Sequence, residues 1–325
     1  MRFWVVGSGG VGGTIGCHLL RSDEHEVVFF ARGPHLAAMR EQGLRIRTER
    51  DEILTLPVKA TDDPASADRP DAILLTVKAY DVRAAAEMVR PFVDYICPVV
   101  TFQNGVDAPY EVADVVGPEH VLAASIAIGC HIEAPGFIAG PMESSMIIIA
   151  MGSMDGCTRE RARYIQQAFA AVNIRVELHE DIRTMLWRKL MLVGPRSVIQ
   201  ALTRCRSLAR LWGNPRARRL LQALWREYRA VGEAEGAGLP YGIFEELAKP
   251  LSEGQVTTAI TVIPGQMPSL LRAVLHGQPL EVEAMIGSVV HRAKRHGIAV
   301  PNVRMCYALL SLVDEENRAA LAGKA

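Results

Sequence analysis

The sequence lacks the features that would direct a chain to a membrane or to nucleic acid. No apolar run reaches the ~18 residues that a helix needs to span a bilayer. Glycines interrupt the first apolar stretch, so a secretory signal peptide is not expected. Neither sign of charge is in excess, since Lys and Arg number 36 and Asp and Glu also number 36. We therefore expect no membrane partner and no nucleic-acid partner.

Cysteine and histidine show no pairing pattern. The six cysteines form no C-x-x-C pair, which in a chain of this length is typical of reduced thiols that fill cores in a cytoplasmic protein. Among the nine histidines, His291 and His296 are five positions apart, which is poor spacing for two ligands on one helix. A cytoplasmic protein without a metal site is predicted. The cysteines are Cys17, Cys97, Cys130, Cys157, Cys205 and Cys306.

The first half of the chain alternates between strand and helix patterns. Continuous apolar runs are typical of parallel strands buried on both faces. Their alternation with helices indicates an α/β fold with a doubly wound, Rossmann-type sheet. Strands are predicted at 2–6, 27–30, 71–77, 97–102 and 121–128, with helices near 34–42, 80–91 and 108–116. A hairpin or strand pair is predicted at 43–60, a late hairpin that closes the sheet at 136–150, a helix near 158–171 and a strand near 173–178.

From about residue 181 the apolar residues recur at helical spacing. At 325 residues the chain has room for two domains, and we predict a Rossmann domain of residues 1–179 and an all-α domain of residues 180–325. Pro195 lacks an N–H group, so Gly194-Pro195 is expected to interrupt one helix pattern. The helical segments are 181–193, 197–210, 214–236, 241–252, 265–275, 280–296 and 302–321.

A glycine motif lies directly between the first strand and the first helix. In Gly7-x-Gly9-x-x-Gly12 the first glycine permits a tight turn, the second lets the backbone approach a pyrophosphate, and the third lets helix and strand pack closely. The helix N-terminus then offers free N–H groups to the phosphates. We predict that this loop, with Ser8, Gly10 and Val11, binds a nicotinamide dinucleotide.

The residue after strand two bears on the choice of cofactor. An Asp or Glu there would bind the ribose 2′-hydroxyl of NAD, but the sequence reads Phe29-Phe30-Ala31-Arg32. A guanidinium matches a phosphate in charge and geometry. NADP(H) is therefore predicted, with an ordinary surface arginine as the alternative.

Three polar residues occur at positions where ligands are expected. Lys78 and Asn104 come just after apolar strands, and ligands in open α/β sheets bind at that edge. Each could instead be a loop residue that caps the next helix. Lys189 opens the second domain, where an interdomain cleft is expected, and a lysine can protonate a carbonyl oxygen as hydride arrives. On composition alone, a lone Lys or Glu on a helix is a solvated charge.

These motifs together resemble the ketopantoate reductase (2-dehydropantoate 2-reductase) family, nearly from end to end. Several unrelated motifs occur in the order and spacing of that family. They are Gly7, Gly9 and Gly12, then Arg32, Lys78, Gln103-Asn104-Gly105, Trp187-x-Lys189-Leu190, Ser269, Glu281 and His296-Gly297-Ile298-Ala299-Val300-Pro301.

The resemblance implies NADPH-dependent reduction of a 2-oxo acid to a 2-hydroxy acid. In the family, 2-dehydropantoate is reduced to pantoate in the pathway to pantothenate and coenzyme A. Lys189 would be the general acid, Asn104 would lie near nicotinamide and substrate, and Ser269 would contact the substrate. Glu281 would face the cofactor. Arg32, with Lys78, would hold the phosphate at the adenosine end.

One departure from the family pattern affects the substrate. The family has two asparagines four and eight residues after its catalytic lysine, and both hold the substrate; here Val193 and Ser197 occupy these positions. A third family asparagine corresponds to Ser207. A site built on hydrogen bonds rejects analogues that lack them, so a changed 2-oxo acid specificity is predicted. Arg196, Arg204 or Arg206 could hold a substrate carboxylate instead, or all three could be solvated helix charges.

Two other functions stay open. One is a 2-hydroxy acid dehydrogenase of the same family with a different substrate and with NAD as an alternative cofactor. The missing asparagines favour it, whereas Arg32 argues against NAD. The other is a non-catalytic protein that senses NADP, against which the retained Lys189, Ser269 and Glu281 argue. The residues leave the oligomeric state open, and a homodimer is compatible with them.

Overall fold

The computed structural model describes residues 1–94, 96–154, 159–239 and 267–323. The chain divides into two compact units, the first made of Met1–Gln103 and Asp107–Met185 and the second of Asn104–Val106 and Leu186–Ala325. The predicted fold class, a Rossmann-type α/β part followed by a helical part, is confirmed. The domain boundary after residue 179 stays a prediction. The predicted helix at 241–252 and Cys157 lie outside the described residues.

An eight-stranded sheet forms the centre of the first unit, in the order β12-β11-β8-β7-β6-β1-β2-β5. All neighbouring strands are parallel except β8 and β11, which are antiparallel. The strands are β1 (Arg2–Val6), β2 (Glu26–Phe30), β5 (Lys59–Thr61), β6 (Ala72–Leu75), β7 (Val99–Thr101), β8 (Val121–Ala127), β11 (Ile148–Ser153) and β12 (Val176–Leu178).

The core lies on both faces of this sheet. In the central strand β1, Phe3 and Val5 pack into one apolar cluster, whereas Trp4 and Val6 pack into another. Successive strand residues point to opposite faces, so a continuous apolar run buries both. Five α-helices are described in this unit: α1 (Gly10–Leu19), α2 (Gly33–Gln42), α3 (Val82–Val89), α4 (Ala108–Val116) and α5 (Arg159–Ala171).

A second sheet of four strands, in the order β4-β3-β10-β9, corrects one prediction. The strand pair within 43–60 is confirmed, since β3 (Leu44–Arg47) and β4 (Ile53–Leu56) are antiparallel. The hairpin predicted at 136–150 is wrong. Its first part is β10 (Phe137–Ala139), which pairs with β3 and with β9 (His131–Ala134), whereas its second part is β11 of the main sheet. Both parts are apolar, and periodicity does not identify pairing partners.

The described residues of the second unit are helical and contain no strand. Seven elements are described from residue 182 onward, the first of which begins in the last residues of the first unit. They are α6 (Ile182–Thr203), α7 (Leu208–Gly213), α8 (Pro215–Ala234), α9 (Ser269–Leu275), a π-helical segment (Glu283–Gly287), α10 (Ser288–His296) and α11 (Pro301–Ala322). No helix in the described part of the chain is long and apolar enough to cross a membrane.

Helix α6 runs through Gly194-Pro195, so the interruption expected there is wrong. The packing of this turn explains why the helix continues. A Cβ on Gly194 would lie 2.9 Å from Cε1 of Tyr228, which means that α8 packs against the glycine backbone. Tyr228 is fully buried, and its hydroxyl donates to the Met285 carbonyl at 2.7 Å. Most helical stability in proteins comes from such packing rather than from propensity.

The His-Gly-Ile-x-x-Pro motif has a structural role here. Gly297 ends α10 at φ +65°. The Ile298 N–H donates to the Ala293 carbonyl at 2.9 Å, as in a Schellman cap. Pro301 begins α11, where its missing N–H costs nothing.

His296 of this motif joins a cluster around Glu235. The Glu235 carboxylate accepts hydrogen bonds from His296 Nε2 at 2.6 Å, Arg292 Nε at 2.9 Å and an Arg295 nitrogen at 3.3 Å. Burial raises the pKa of Glu235, but the hydrogen bonds from His296 and Arg292 outweigh burial and hold the pKa below its usual value of 4.5. A carboxyl with a lowered folded-state pKa stabilises the fold above its unfolded pKa, and this stability is lost as the pH falls through the folded pKa.

We expect Glu235→Gln to lower the free energy of unfolding by roughly 1–3 kcal/mol at pH 7, because it leaves the buried Arg292 without its anion. The loss relative to wild type should shrink as the pH falls below about 4.5. Urea unfolding at several pH values measures both. Glu87→Gln, which removes the partner of Arg83 in an exposed ion pair on α3, should cost less than about 0.5 kcal/mol. Equal losses for the two variants would contradict the role given to Glu235.

Candidate active site

The glycine loop connects β1 to α1 at the carboxyl edge of the main sheet. Gly7 has φ +102°, and a Cβ there would lie 2.6 Å from the Val77 backbone nitrogen. A Cβ on Gly12 would overlap Thr76 Oγ1 and the Gly7 carbonyl oxygen. Both glycines are therefore needed for the close packing of loop, helix and strand, as the motif predicts.

Gly9 differs from these two glycines, because its surroundings are open. A Cβ on Gly9 would meet only the Ile132 side chain, at 3.6 Å and beyond. Gly9 is also the N-cap of α1 and provides no side-chain cap. The first N–H groups of a helix have no acceptor within the helix, and they carry the positive end of its dipole. The open space at Gly9 and these donors fit a pyrophosphate.

We expect Gly9→Ala and Gly12→Ala to affect different properties. Gly9 has φ −74°, which alanine adopts, so Gly9→Ala should leave the melting temperature within about 2 °C while the added methyl weakens binding of NADPH about 10-fold or more. Gly12→Ala should lower the melting temperature, because the new Cβ has no room. Thermal unfolding and fluorescence titration with NADPH measure these effects. Unchanged NADPH affinity in Gly9→Ala would argue against the predicted phosphate site.

The other loop residues hold its shape. The Ser8 hydroxyl is buried and donates to the Phe30 carbonyl at 3.0 Å. The backbone at Gly10 packs against the next sheet, since a Cβ there would lie 2.7 Å from the His131 nitrogen. Val11 is half-buried. Cofactor contacts by Ser8, Gly10 and Val11 stay predictions.

His35 supports the same loop and was not predicted from the sequence. Its Nε2 lies 2.8 Å from the Ser8 carbonyl, and its Nδ1 accepts from the Gly136 N–H at 3.0 Å. This pair of bonds requires the Nε2–H tautomer. A single histidine in a helix carries no local signal for such a role, because both partners are distant in sequence.

Arg32 lies beside the glycine loop, at the end of β2. Its guanidinium is exposed and forms an ion pair with Asp81 at 3.2 Å. Lys78 is exposed at the start of the turn that contains Asp81. The structure thus places the glycine loop, Arg32 and Lys78 at one edge of the sheet. The structure also pairs Arg32 with the carboxylate of Asp81, a contact that the sequence pattern does not reveal.

Gln103 links the strand ends at this edge. Its side-chain amide donates to the carbonyls of Leu75 at 2.9 Å and Val77 at 3.0 Å. Its Oε1 atom is buried and has no hydrogen-bond partner among the described residues. Gln103 therefore positions the chain just before Asn104.

Asn104 belongs to the second unit together with Gly105 and Val106. Asn104 is half-buried. Gly105 has φ +92°, and a Cβ there would lie 2.6 Å from the Ala284 carbonyl oxygen. Ala284 lies in the π-helical segment, three residues after Glu281, so Gly105 packs against the segment that follows the predicted Glu281.

The predicted residues of the second unit occupy three helical elements. Lys189, like Val193 one turn later, is half-buried on α6, whereas Ser197 is 4% exposed. Ser269 is exposed at the first turn of α9, and Glu281 is half-buried just before the π-helical segment. π-Helical turns are frequent at functional sites. Ser207 caps α7 by accepting from the Arg210 N–H at 3.1 Å, which is a structural role.

Two family models match the chain. The model of ketopantoate reductase PanE/ApbA matches residues 3–148, and the model of the C-terminal part of the same family matches residues 181–314. Together they span most of the chain. The chain belongs to the ketopantoate reductase family.

Relatives of this ketopantoate reductase family member align over nearly its full length. A 2-dehydropantoate 2-reductase of Caulobacter vibrioides is 29% identical over 311 residues, which are 94% of this chain and 97% of that protein. A PanE/ApbA family ketopantoate reductase from Ralstonia eutropha has a TM-score of 0.84 at 26% identity, covering 98% of this chain and all of the other. D-Mandelate dehydrogenase with NADH and anilino(oxo)acetate shares the fold, with a TM-score of 0.87 at 16% identity and coverage of 98% and 100%.

Membership of this family makes the protein an oxidoreductase that depends on a pyridine nucleotide. The glycine loop of the first unit fits that cofactor. The described part of the chain brings together no three His, Cys, Asp or Glu side chains that could hold a metal ion.

Proposed function

We propose that the protein reduces a 2-oxo acid to a 2-hydroxy acid with NADPH, and that Lys189 is the general acid. The observation that supports this most is the position of Lys189 on α6. It is half-buried on a face whose next turn carries the apolar Leu192 and Val193. An ammonium group beside apolar side chains can protonate a carbonyl oxygen in a site that excludes bulk water.

The residues of this chain divide the work. The bound nicotinamide supplies the hydride to the carbonyl carbon. Lys189 donates a proton to the carbonyl oxygen, so that a ketone becomes an alcohol and the ammonium becomes an amine, which takes up a proton again from solvent. Asn104 and Ser269 orient the substrate by hydrogen bonding. Glu281 faces the bound cofactor.

The cofactor in this proposal is NADPH rather than NADH. Arg32 supports it, because a guanidinium suits the 2′-phosphate and no acid ends β2. Lys78 adds a second cation at the same edge of the sheet. Asp81 partly opposes the preference for NADPH, since a carboxylate next to Arg32 repels the 2′-phosphate.

We propose two candidate activities, which differ in the 2-oxo acid that is reduced, and we rank them. The family supports 2-dehydropantoate, reduced to pantoate for pantothenate and coenzyme A biosynthesis, as the first. Val193 and Ser197 favour a second candidate, a 2-hydroxy acid dehydrogenase of the same family with another substrate. D-Mandelate dehydrogenase has the same fold and is named for a different 2-hydroxy acid, so the fold is compatible with both.

NADPH oxidation with a panel of 2-oxo acids tests this proposal. The panel holds 2-dehydropantoate and branched, aromatic and dicarboxylic 2-oxo acids, each with NADPH and with NADH. Fast turnover of 2-dehydropantoate with a low KM would support the first substrate, and a clear preference for another acid would support the second. A failure to oxidise bound NADPH in a single turnover with any acid would favour a non-catalytic NADP-binding protein instead.

The assembly and location belong to the same proposal. We place the protein in the cytoplasm as a homodimer. Met305, Leu309 and Leu312 are more than half exposed on one face of α11, and an apolar stripe of this kind supports contact with another chain.

A further inference from the structure

Between Lys189 and Ala201, one face of α6 is more exposed than the other faces. From Lys189 onward, Leu192, Val193 and Arg196 are half-buried, whereas the residues between them and the stretch 197–201 are buried. At 100° per residue, Arg196 lies within about 20° of Lys189 around the helix axis, closer than Val193 or Ser197. Arg196 therefore shares the face of the proposed general acid.

The Arg196 side chain is partly withdrawn from water. Its Nε atom is shielded from solvent and has no hydrogen-bond partner among the described residues. Burial lowers the pKa of Arg196 to about 10, which leaves the side chain charged at neutral pH. A guanidinium N–H that is shielded from water without a hydrogen bond is unfavourable, so an acceptor group of opposite charge is expected to bind there.

The other two arginines of this stretch lack these properties. Arg204 is exposed beyond the end of α6, with φ +54°. Arg206 is exposed in the loop before α7. Arg204 and Arg206 are therefore ordinary solvated charges. The sequence does not distinguish the three arginines, whereas the structure distinguishes Arg196 from the other two by its burial.

The position of Arg196 also explains the missing asparagines. Its Cα lies about 10 Å along the helix from that of Lys189. A helical side chain leans toward the N-terminus and covers the preceding turn. The Arg196 side chain therefore covers the turn of Val193, where the family pattern places its first asparagine, and replaces an amide donor by a charged fork.

We propose that Arg196 binds a carboxylate of the substrate on the Lys189 face of α6. This inference rests on the proposed function, and it names a recognition element for its substrate. The carboxylate has two sources. It is either the one next to the ketone, which every 2-oxo acid carries, or a second carboxylate at the far end of a 2-oxo diacid. Bidentate pairing between Arg and carboxylate supplies affinity and orientation in both cases.

Arg196→Met is the main test, because methionine keeps most of the length and removes the charge. Removal of a half-buried guanidinium whose Nε has no hydrogen-bond partner among the described residues should raise the melting temperature by about 2–4 °C. The KM for the preferred 2-oxo acid should rise about 10- to 100-fold, with kcat changed less than about three-fold. Arg206→Gln removes an exposed arginine nearby and should change neither quantity. A purely structural arginine would give the opposite sign in the melting temperature.

The two carboxylate sources are separated by the substrates used. With Arg196→Met, equal losses for 2-dehydropantoate and 2-oxoglutarate would assign the carboxylate next to the ketone. A loss confined to 2-oxoglutarate would assign the distal one. Arg196→Lys keeps the charge without the fork and should lie between wild type and methionine. Unchanged KM values in Arg196→Met and Arg196→Lys would overturn the proposal.

Binding without turnover keeps this proposal separate from the proposed function. Oxamate and N-oxalylglycine are amide analogues of a 2-oxo acid and of 2-oxoglutarate, and neither accepts hydride. Calorimetry with the NADP-loaded protein measures their affinities. We expect Arg196→Met to weaken binding of N-oxalylglycine at least 10-fold, even in a protein that turns over no 2-oxo acid, and to weaken oxamate equally if Arg196 binds the carboxylate next to the ketone. Equal affinity of wild type and Arg196→Met for both analogues would contradict the role of Arg196, whatever the activity of the wild type.

Discussion

Lys189→Ala should reduce turnover of the preferred 2-oxo acid by about 100- to 10,000-fold, the usual contribution of a positioned general acid. Hydride reaching the carbonyl carbon leaves negative charge on the oxygen, and Lys189 is the proposed source of the proton that neutralises it. The dissociation constant for NADPH should stay within about two-fold of wild type, because the glycine loop and Arg32 are in the other compact unit. Steady-state kinetics and fluorescence titration measure the two effects.

The control for this variant is Lys294→Ala, which removes an exposed lysine from α10. It should leave kcat and KM unchanged. A thermal melt of Lys189→Ala shows whether the half-buried position tolerates the shorter side chain. Normal turnover in a folded Lys189→Ala protein would remove Lys189 from the mechanism. A low kcat with a raised NADPH dissociation constant would point to a structural defect instead.

Most of the architecture could be predicted from the sequence because it depends on local patterns. Buried parallel strands are continuous apolar runs, and the glycine loop has a fixed spacing between a strand and a helix. Gly7 and Gly12 are glycines for the reasons that the motif gives, close packing and a positive φ at Gly7. Pairing is not local, and the true partners of Phe137–Ala139 could not be predicted for that reason.

The candidate site was only partly predictable, since several of its residues act through distant partners. His35 contacts Ser8 and Gly136, and Asp81 contacts Arg32 across 49 positions. Local patterns also overstated the effect of Pro195, because the packing of Tyr228 against Gly194 is a tertiary contact. Arg196 differs from Arg204 and Arg206 in its burial. Because burial depends on tertiary packing, the sequence could not show which of the three arginines is shielded from solvent.

Arg32→Ala should raise the KM for NADPH by about 10- to 100-fold and change the KM for NADH less than about three-fold. A hydrogen bond to a charged group contributes more than a neutral one, and only NADPH has the 2′-phosphate that this guanidinium would bind. Because Arg32 is exposed, the effect should shrink as ionic strength rises. Kinetics with both cofactors at low and high salt measure it.

Asp81→Asn should change the same constant in the opposite direction. Asp81 pairs with Arg32 at 3.2 Å, so in the free protein it competes with the phosphate and adds repulsion, and its neutralisation should lower the KM for NADPH a few-fold. Arg40→Ala is a matched control for Arg32→Ala, because Arg40 is also exposed and pairs with Asp62 at the same distance, and it should change neither KM. The wild type could use NADPH and NADH equally well, and Arg32→Ala could leave this unchanged. That result would show that Arg32 and Asp81 form only a surface ion pair. It would also show that the absence of an acid after β2 does not select NADPH.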